Sequence, residues 1–461
     1  MDSNLKPYEE YKETEYDWLG SVPRHWKEQT VRSITKLSSE RNGNRNDLEL
    51  LSVYREYGVI RKSSRDDNHN VESQDLSNYK FVDSGYLVLN KMKMWQGSLG
   101  VSRYRGIVSP AYIVCKLIGD LNHEYIHYLM RSAKFKTIYN RISYGVRVGQ
   151  WDMRYDDFKN IKLYLPPIAE QNQIVKFLDN YLSKINKFIN AKKKLIEVLK
   201  EKKHAVINEA VTKGLNQNVK LKPSGIDWLG NIPEHWDVKP LRQLLRPVSI
   251  KNRPDLPLLS VVREKGVILR SSMSKEENHN FIPDDLSGYK VVKNGQFAMN
   301  KMKAWQGSYG VSPYHGIVSP AYYIFDLNFE NKDYFHYAIR SRVYVNFFYQ
   351  ASDGIRVGQW DLSLDKMKEI PFFVPPEEEQ KEILEYIPKE FKRIEDTVER
   401  LKKEIDLIEE YRVRLISDVV TGKVDVSNIE MDDFQNEELE AVTDEDIFEL
   451  EEVLEGEECE V

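Results

Sequence analysis

The chain has 461 residues, 67 Lys and Arg against 73 Asp and Glu, 41% hydrophobic residues and 11% aromatics. That length suits about two to four domains, and the aromatic content is too high for a largely disordered chain. No apolar run is long enough to span a bilayer, the first residues lack the apolar core of a secretion signal, and the two cysteines, Cys115 and Cys459, exclude a disulfide scaffold or multi-cysteine zinc module and fit a reducing cytoplasm.

From its first elements onward the chain is written twice. Asp17-Trp18-Leu19-Gly20, followed by Pro23, His25 and Trp26, returns as Asp227-Trp228-Leu229-Gly230 with Pro233, His235 and Trp236. NKMKMWQGSLGVS from Asn90 returns as NKMKAWQGSYGVS from Asn300, and GIVSPAY from Gly106 returns from Gly316. GVRVGQWD from Gly145 becomes GIRVGQWD from Gly354. Pro166-Pro167 with Glu170-Gln171 becomes Pro375-Pro376 with Glu379-Gln380. So many collinear matches require two copies of one fold, and the period is far too long for a solenoid.

Within each copy, short β-like runs come first, bounded by Gly, Asn, Asp and Pro: Tyr86 to Leu89, Gly106 to Lys116 and Ile161 to Leu165. A helix from His123 to Phe135, matched by Lys332 to Val345, interrupts them. This predicts a compact α+β domain of about 150 residues. A long helix then starts at the Pro-Pro step, where proline's missing N–H costs nothing and the following acids suit the helix dipole. Ile174, Leu178, Ile185, Phe188, Leu195, Leu199 and Val206 in the first copy have the three-four spacing of a coiled-coil seam. Ile383, Ile387, Ile394, Val398, Leu401, Ile405, Ile408, Leu415 and Val419 have it in the second. Pro388 predicts a kink or a break there. Thr212-Lys213-Gly214 and Thr421-Gly422-Lys423 supply glycine stops.

The expected organisation is two homologous α+β domains, 1–165 and 217–374, and two long helices, 166–216 and 375–426. The simplest closed arrangement is an antiparallel coiled coil with a domain at each end, related by a pseudo-twofold. Residues 427–461 form an acidic tail. From Glu430 onward it holds 16 Asp and Glu and no Lys or Arg, so the remainder of the chain is +10. Such a block reads as solvated and disordered, a solubility tail, although Phe434, Ile447, Phe448, Leu450 and Leu454 leave room for a short docking helix.

Enzyme motifs are missing. There is no GxxxxGK[ST] phosphate loop, no GxGxxG fingerprint after a strand, and no Asn-Pro-Pro-aromatic step of the amino-methyltransferases. Nuclease-like pieces, Pro283-Asp284 with Glu330 and Lys332, have no match in the first half. The paired histidines His25 and His235, His69 and His279, and His127 and His336 lack cysteine partners and zinc spacing, so packing roles suit them better. Cys115 faces Phe325 in the alignment and reads as a small hydrophobe.

What remains is basic and amide residues interleaved with aromatics. Lys91, Lys93 and Gln96 recur as Lys301, Lys303 and Gln306; Arg147 and Gln150 recur as Arg356 and Gln359. Arg and Lys meet phosphates or guanine and Gln meets adenine, so these types suit groove reading, though exposed basic residues are ordinary. Trp95, Trp151, Trp305 and Trp360 read as core anchors. The halves differ at RNGNRND against KNRPDLP, at RKSSRDD against RSSMSKEE, and at Arg103 and Arg105 against Pro313 and His315. If both halves read DNA, shared residues hold the backbone and differing ones set two half-sites.

These doubled motifs together resemble the specificity subunit of type I restriction–modification systems, from Asp17 to Val426. The resemblance implies two target-recognition domains that each read half of a split site on double-stranded DNA. It implies long helices that fix the gap and dock two methyltransferase subunits, with restriction/translocase subunits joining them. No catalytic residue, metal or cofactor is then expected in this chain; S-adenosylmethionine, ATP and Mg belong to the partners, and no membrane is involved. Two other readings stay open: a self-sufficient nuclease with a cryptic site, and a stand-alone sequence-specific regulator.

Overall fold

The computed structural model describes residues 5–64, 75–145, 151–216, 218–263, 265–272, 282–283, 285–354 and 360–429. The chain divides into two compact units, one made of Met1–Ala191 with Lys403–Val461 and the other of Lys192–Lys402. Each unit therefore combines a sheet domain, the beginning of the long helix that follows it, and the end of the other long helix.

In the first unit Thr35–Leu37, Tyr112–Leu117, Tyr86–Asn90 and Leu99–Val101 form an antiparallel sheet in that order. A second sheet runs Gly58–Arg61, Glu49–Tyr54, Gly106–Val108, Lys80–Val82, with Gly106–Val108 parallel to Glu49–Tyr54. The alternation of strand side chains explains the layering. Val88 and Val114 pack with Leu51, Val53, Val59, Val82 and Val108 on one face. Their neighbours Leu87, Leu89, Ile113 and Cys115 point to the other, into a larger core with Trp26, Tyr125, Phe135 and Tyr139. Burial pushes the Cys115 thiol up to about 12, which suits an inert core residue.

The second unit repeats the plan. Leu245–Val248, Tyr322–Leu327, Phe297–Asn300 and Tyr309–Val311 form its antiparallel sheet. Ala298 and Ile324 face the smaller core; Phe297, Met299 and Phe325 face the larger one.

Two local expectations change. The stretch from Gly106 to Lys116 is two strands, because Ser109-Pro110-Ala111 turns the chain between Gly106–Val108 and Tyr112–Leu117. The helix from His123 is two, His123–Arg131 and Ala133–Ile142, broken where Ser132 is extended at φ −61°, ψ 154°. The matching break separates Lys332–Ile339 from Arg342–Gln350.

Both long helices are present, Ile168–Lys213 and Glu377–Val420. Within the first unit they run antiparallel: Gln173 donates to the Val426 carbonyl while Arg412 donates to Asn186. Within the second, Lys203 meets Glu395 at 2.6 Å and Gly214 lies against Glu379. Pro388 does not break its helix. It is exposed, so water can take the carbonyl that loses its N–H partner. The seam of the second helix is buried at Ile383, Ile387, Ile394, Leu401, Ile405, Leu415 and Val419. In the first helix Phe188 and Leu195 are not seam residues: they are 53% and 45% exposed, and Ile189 and Ile196 are buried instead. That helix carries two apolar runs offset by one residue, between which periodicity does not choose. The acidic tail from Glu430 lies outside the described residues.

Candidate nucleic-acid interface

The Pro-x-His-Trp and Pro-Pro-x-x-Glu-Gln motifs meet each other. Glu170 accepts from the Trp26 indole at 2.8 Å and from Tyr8 at 2.7 Å, and pairs with His25 at 2.7 Å. Glu379 accepts from Trp236 at 2.8 Å and pairs with His235 at 2.5 Å. His25 thus shares the Glu170 carboxylate with Trp26 through a hydrogen bond at the surface. Gln171 closes the same corner, donating to the Pro166 carbonyl and accepting from Asn122 N–H. The glycine stop of the other helix reaches the same tryptophan: a Cβ on Gly422 would lie 3.1 Å from Trp26, and one on Gly214 3.3 Å from Trp236. Both glycines have positive φ, 75° and 74°, which an L side chain resists. These motifs hold the start of one helix and the end of the other to each domain; they are structural.

The second pair of motifs converges elsewhere. NKMKxWQG forms a tight turn between two strands, with a 3-10 helix at Met94–Gln96 and Gly97 at φ 90°. The Trp-Asp end of the other motif returns beside it: Met153 N–H donates to the Lys91 carbonyl, and Lys91 pairs with Asp152 at 3.3 Å. Lys301 and Asp361 repeat this at 2.8 Å, and that carboxylate raises the Lys301 pKa. Trp95 and Trp151 lie 5.4 Å apart, Trp305 and Trp360 5.2 Å. All four rings are half-buried and sit outside the hydrophobic cores, so they form aromatic pairs at the surface rather than core anchors. The cores already have their indole, in Trp26 and Trp236.

Beside each aromatic pair lies a basic cluster whose central lysine, Lys80 or Lys290, sequence reading missed. Lys80 is pulled below the ordinary lysine value, first by burial and then by the neighbouring Arg41 and Lys91. Lys290 is lowered the same way, by burial, Lys251 and Lys301. Lys80 donates to the Tyr112 carbonyl and Lys290 to that of Tyr322 at 2.6 Å. Like charges held this close concentrate positive potential and suit a phosphate. The signal was the doubled Tyr79-Lys80 and Tyr289-Lys290.

Of the sequence candidates, Lys93 and Lys303 are exposed at the same turn, and Gln96 and Gln306 are half-buried in it. Arg103 is apart from this group, held by Glu124 through two bonds of 3.0 and 2.9 Å. Arg105 stacks over Phe81 at 5.7 Å, with Arg45 on the same ring at 4.5 Å. Val291 replaces Phe81 in the second unit, where Arg253 pairs with Asp255 at 2.6 Å. Arg147, Gln150, Arg356 and Gln359 lie outside the described residues, as do His69, His279 and Asp284. Among the described residues no group of three His, Cys, Asp or Glu could hold a metal, and no helix is long and apolar enough to cross a membrane.

Residues 23–198 match the family model of the type I restriction modification DNA specificity domain. The chain is 24% identical to a protein assigned to the MjaX type I restriction enzyme of Methanocaldococcus jannaschii as its specificity subunit, over 91% of this chain and 97% of that one. Over most of its length this chain is thus similar to the specificity subunits of type I restriction enzymes. A second such specificity subunit of that organism, from the MjaVIII enzyme, is 28% identical over 73% of this chain and 79% of its own. The fold is shared with a solved chain of a type I restriction–modification system at 13% identity and TM-score 0.54, covering 87% of this chain and 99% of that one.

Proposed function

We propose that this chain is the specificity subunit of a type I restriction–modification system, that it reads a split site on double-stranded DNA, one half per unit, and that it acts as a non-catalytic scaffold. Two methyltransferase subunits and the restriction/translocase subunits dock on it, bringing S-adenosylmethionine, ATP and Mg with them. What supports this reading is a repeated surface with unequal surroundings. Arg41, Lys80 and Lys91 beside one tryptophan pair match Lys251, Lys290 and Lys301 beside the other. The flanking residues differ, Arg45 and Arg105 on Phe81 in one unit and Arg253 with Asp255 in the other. The shared residues suit phosphates and position; the unequal ones suit base edges and specify.

Long-read mapping of methylated adenines, with the subunit assembled with its methyltransferase, tests this. A bipartite motif is expected, with related half-sites in inverted order because the two units are so alike. Adding whole turns to both long helices should lengthen the tolerated gap and leave the half-sites unchanged. Sequence-independent methylation, or metal-dependent cleavage by the purified chain alone, contradicts the proposal.

A further inference from the structure

Among the described residues, methionine is a core residue except at one place in each unit. Met94, Met130, Met153, Met299 and Met367 are buried, whereas Met92 and Met302 are 55% and 48% exposed. These two occupy the same position of the repeated NKMKxWQG turn, between Lys91 and Lys93 in the first copy and between Lys301 and Lys303 in the second. Hydrogen bonds fix the turn around them. Lys93 N–H donates to the Asn90 carbonyl and Gln96 N–H to the Lys93 carbonyl, both at 3.0 Å. In the second unit Met302 N–H donates to the Asn300 side chain and the Trp305 indole donates to the Met302 carbonyl, both at 3.1 Å.

A lone exposed methionine is ordinary on a protein surface; the same one twice, at the tip of a basic turn, calls for a partner. Lys91 lies beside Arg41 and Lys80, and Lys301 beside Lys251 and Lys290, so each tip is carried by a positive cluster that draws a polyanion. Gripping phosphates needs only the lysines, and an apolar side chain between them adds nothing to that. A DNA groove does offer apolar surface, in the thymine methyls and at the edges of stacked bases. An unbranched thioether adapts to such an uneven surface and brings no strong donor or acceptor that has to be matched.

We propose that Met92 and Met302 are the apolar tips that enter the DNA groove and pack against the bases of their own half-site, an inference that rests on the reading of one half-site per unit. The lysines on either side hold the backbone and position the turn, while the thioether meets the bases. Each methionine then adds to affinity for its half-site without adding to the general electrostatic attraction for DNA.

Peroxide converts an accessible methionine to its sulfoxide, which peptide mass spectrometry locates. In the chain assembled with its methyltransferase, a duplex carrying the methylated motif should suppress oxidation of Met92 and Met302 at an equal peroxide dose. Met92→Ala and Met302→Ala should each weaken binding of that duplex roughly tenfold, as the loss of one buried apolar side chain does, and leave the salt slope unchanged. Both positions are exposed, so folding should be kept. Met92→Leu, which stays apolar, should recover most of the affinity. Oxidation indifferent to DNA would overturn the proposal, as would methionines that resist peroxide before DNA is added, since another chain would then cover the tip. So would alanine variants that bind as tightly as the unaltered chain, or a loss that comes with a lower salt slope, the mark of a phosphate contact. If these failures occur while Lys80→Ala still weakens binding, the half-site reading stands without the methionine tips; if Lys80→Ala has no effect either, both fall.

Discussion

In the first unit Glu170 takes three partners, Tyr8, His25 and Trp26; among the described residues Glu379 in the second unit takes two, His235 and Trp236. The difference follows from the sequence: Asn218 stands in the second copy where Tyr8 stands in the first, and it has no phenol. In the second unit the end of the first long helix runs covalently into the strand Leu221–Pro223. In the first, the corresponding strand near Tyr11 is joined to the end of the second long helix only by contacts: Asp425 N–H to the Lys6 carbonyl at 2.8 Å and the Tyr11 hydroxyl to the Gly422 carbonyl at 3.1 Å.

Breaking the shared part of this junction should cost most. Trp26→Ala and Trp236→Ala each remove an indole that is 1% exposed, and each should cost about 3–5 kcal/mol in denaturant unfolding. The next effect is a pH dependence. His127 and His336 sit against glycine pairs, Gly58 with Gly100 and Gly266 with Gly310. Arg131 and Arg340 face the Nε2 of each ring. Burial, then that arginine, holds His336 neutral down to about 4 and His127 well below its ordinary value. An unfolded histidine titrates near 6.5 and binds protons first as pH falls. Stability is therefore complete above about 6.5 and declines towards pH 4, by about 3 kcal/mol for His336. Unfolding curves across that window should flatten in His336→Gln; an unchanged slope would refute a buried neutral ring.

Smaller changes sharpen the contrast between the units. Glu170→Ala leaves a buried indole N–H and two other groups without their acceptor, and should cost about 1–3 kcal/mol, more than Glu379→Ala. Equal losses would show that Tyr8 adds nothing. Lys80→Ala and Lys290→Ala should each weaken DNA binding across all sequences and reduce the salt slope by about 0.9.

The duplication made the plan legible. Two copies of one domain, each followed by a long helix, follow from motif matches alone, and the buried Ile383-to-Val419 seam follows from spacing. Failures came where two solutions share one pattern. Phe188 and Ile189, or Leu195 and Ile196, serve equally well as seam residues until the partner helix chooses. Trp95 and Trp151 look like core anchors until the core is seen to be filled by Trp26. Lys80 drew no notice because a doubled Tyr-Lys step is too short a pattern to stand out; its burial beside Arg41 and Lys91 marks it.

The central claim is that each unit reads its own half of the DNA site. The most direct test is Arg45→Ala with Arg105→Ala in the assembled methyltransferase, followed by mapping of methylated adenines. Both arginines lie on Phe81 in the first unit, so the account predicts relaxed or altered bases in one half-site and an unchanged second half. Changes spread over both halves, or a motif identical to that of the unaltered protein, would contradict it.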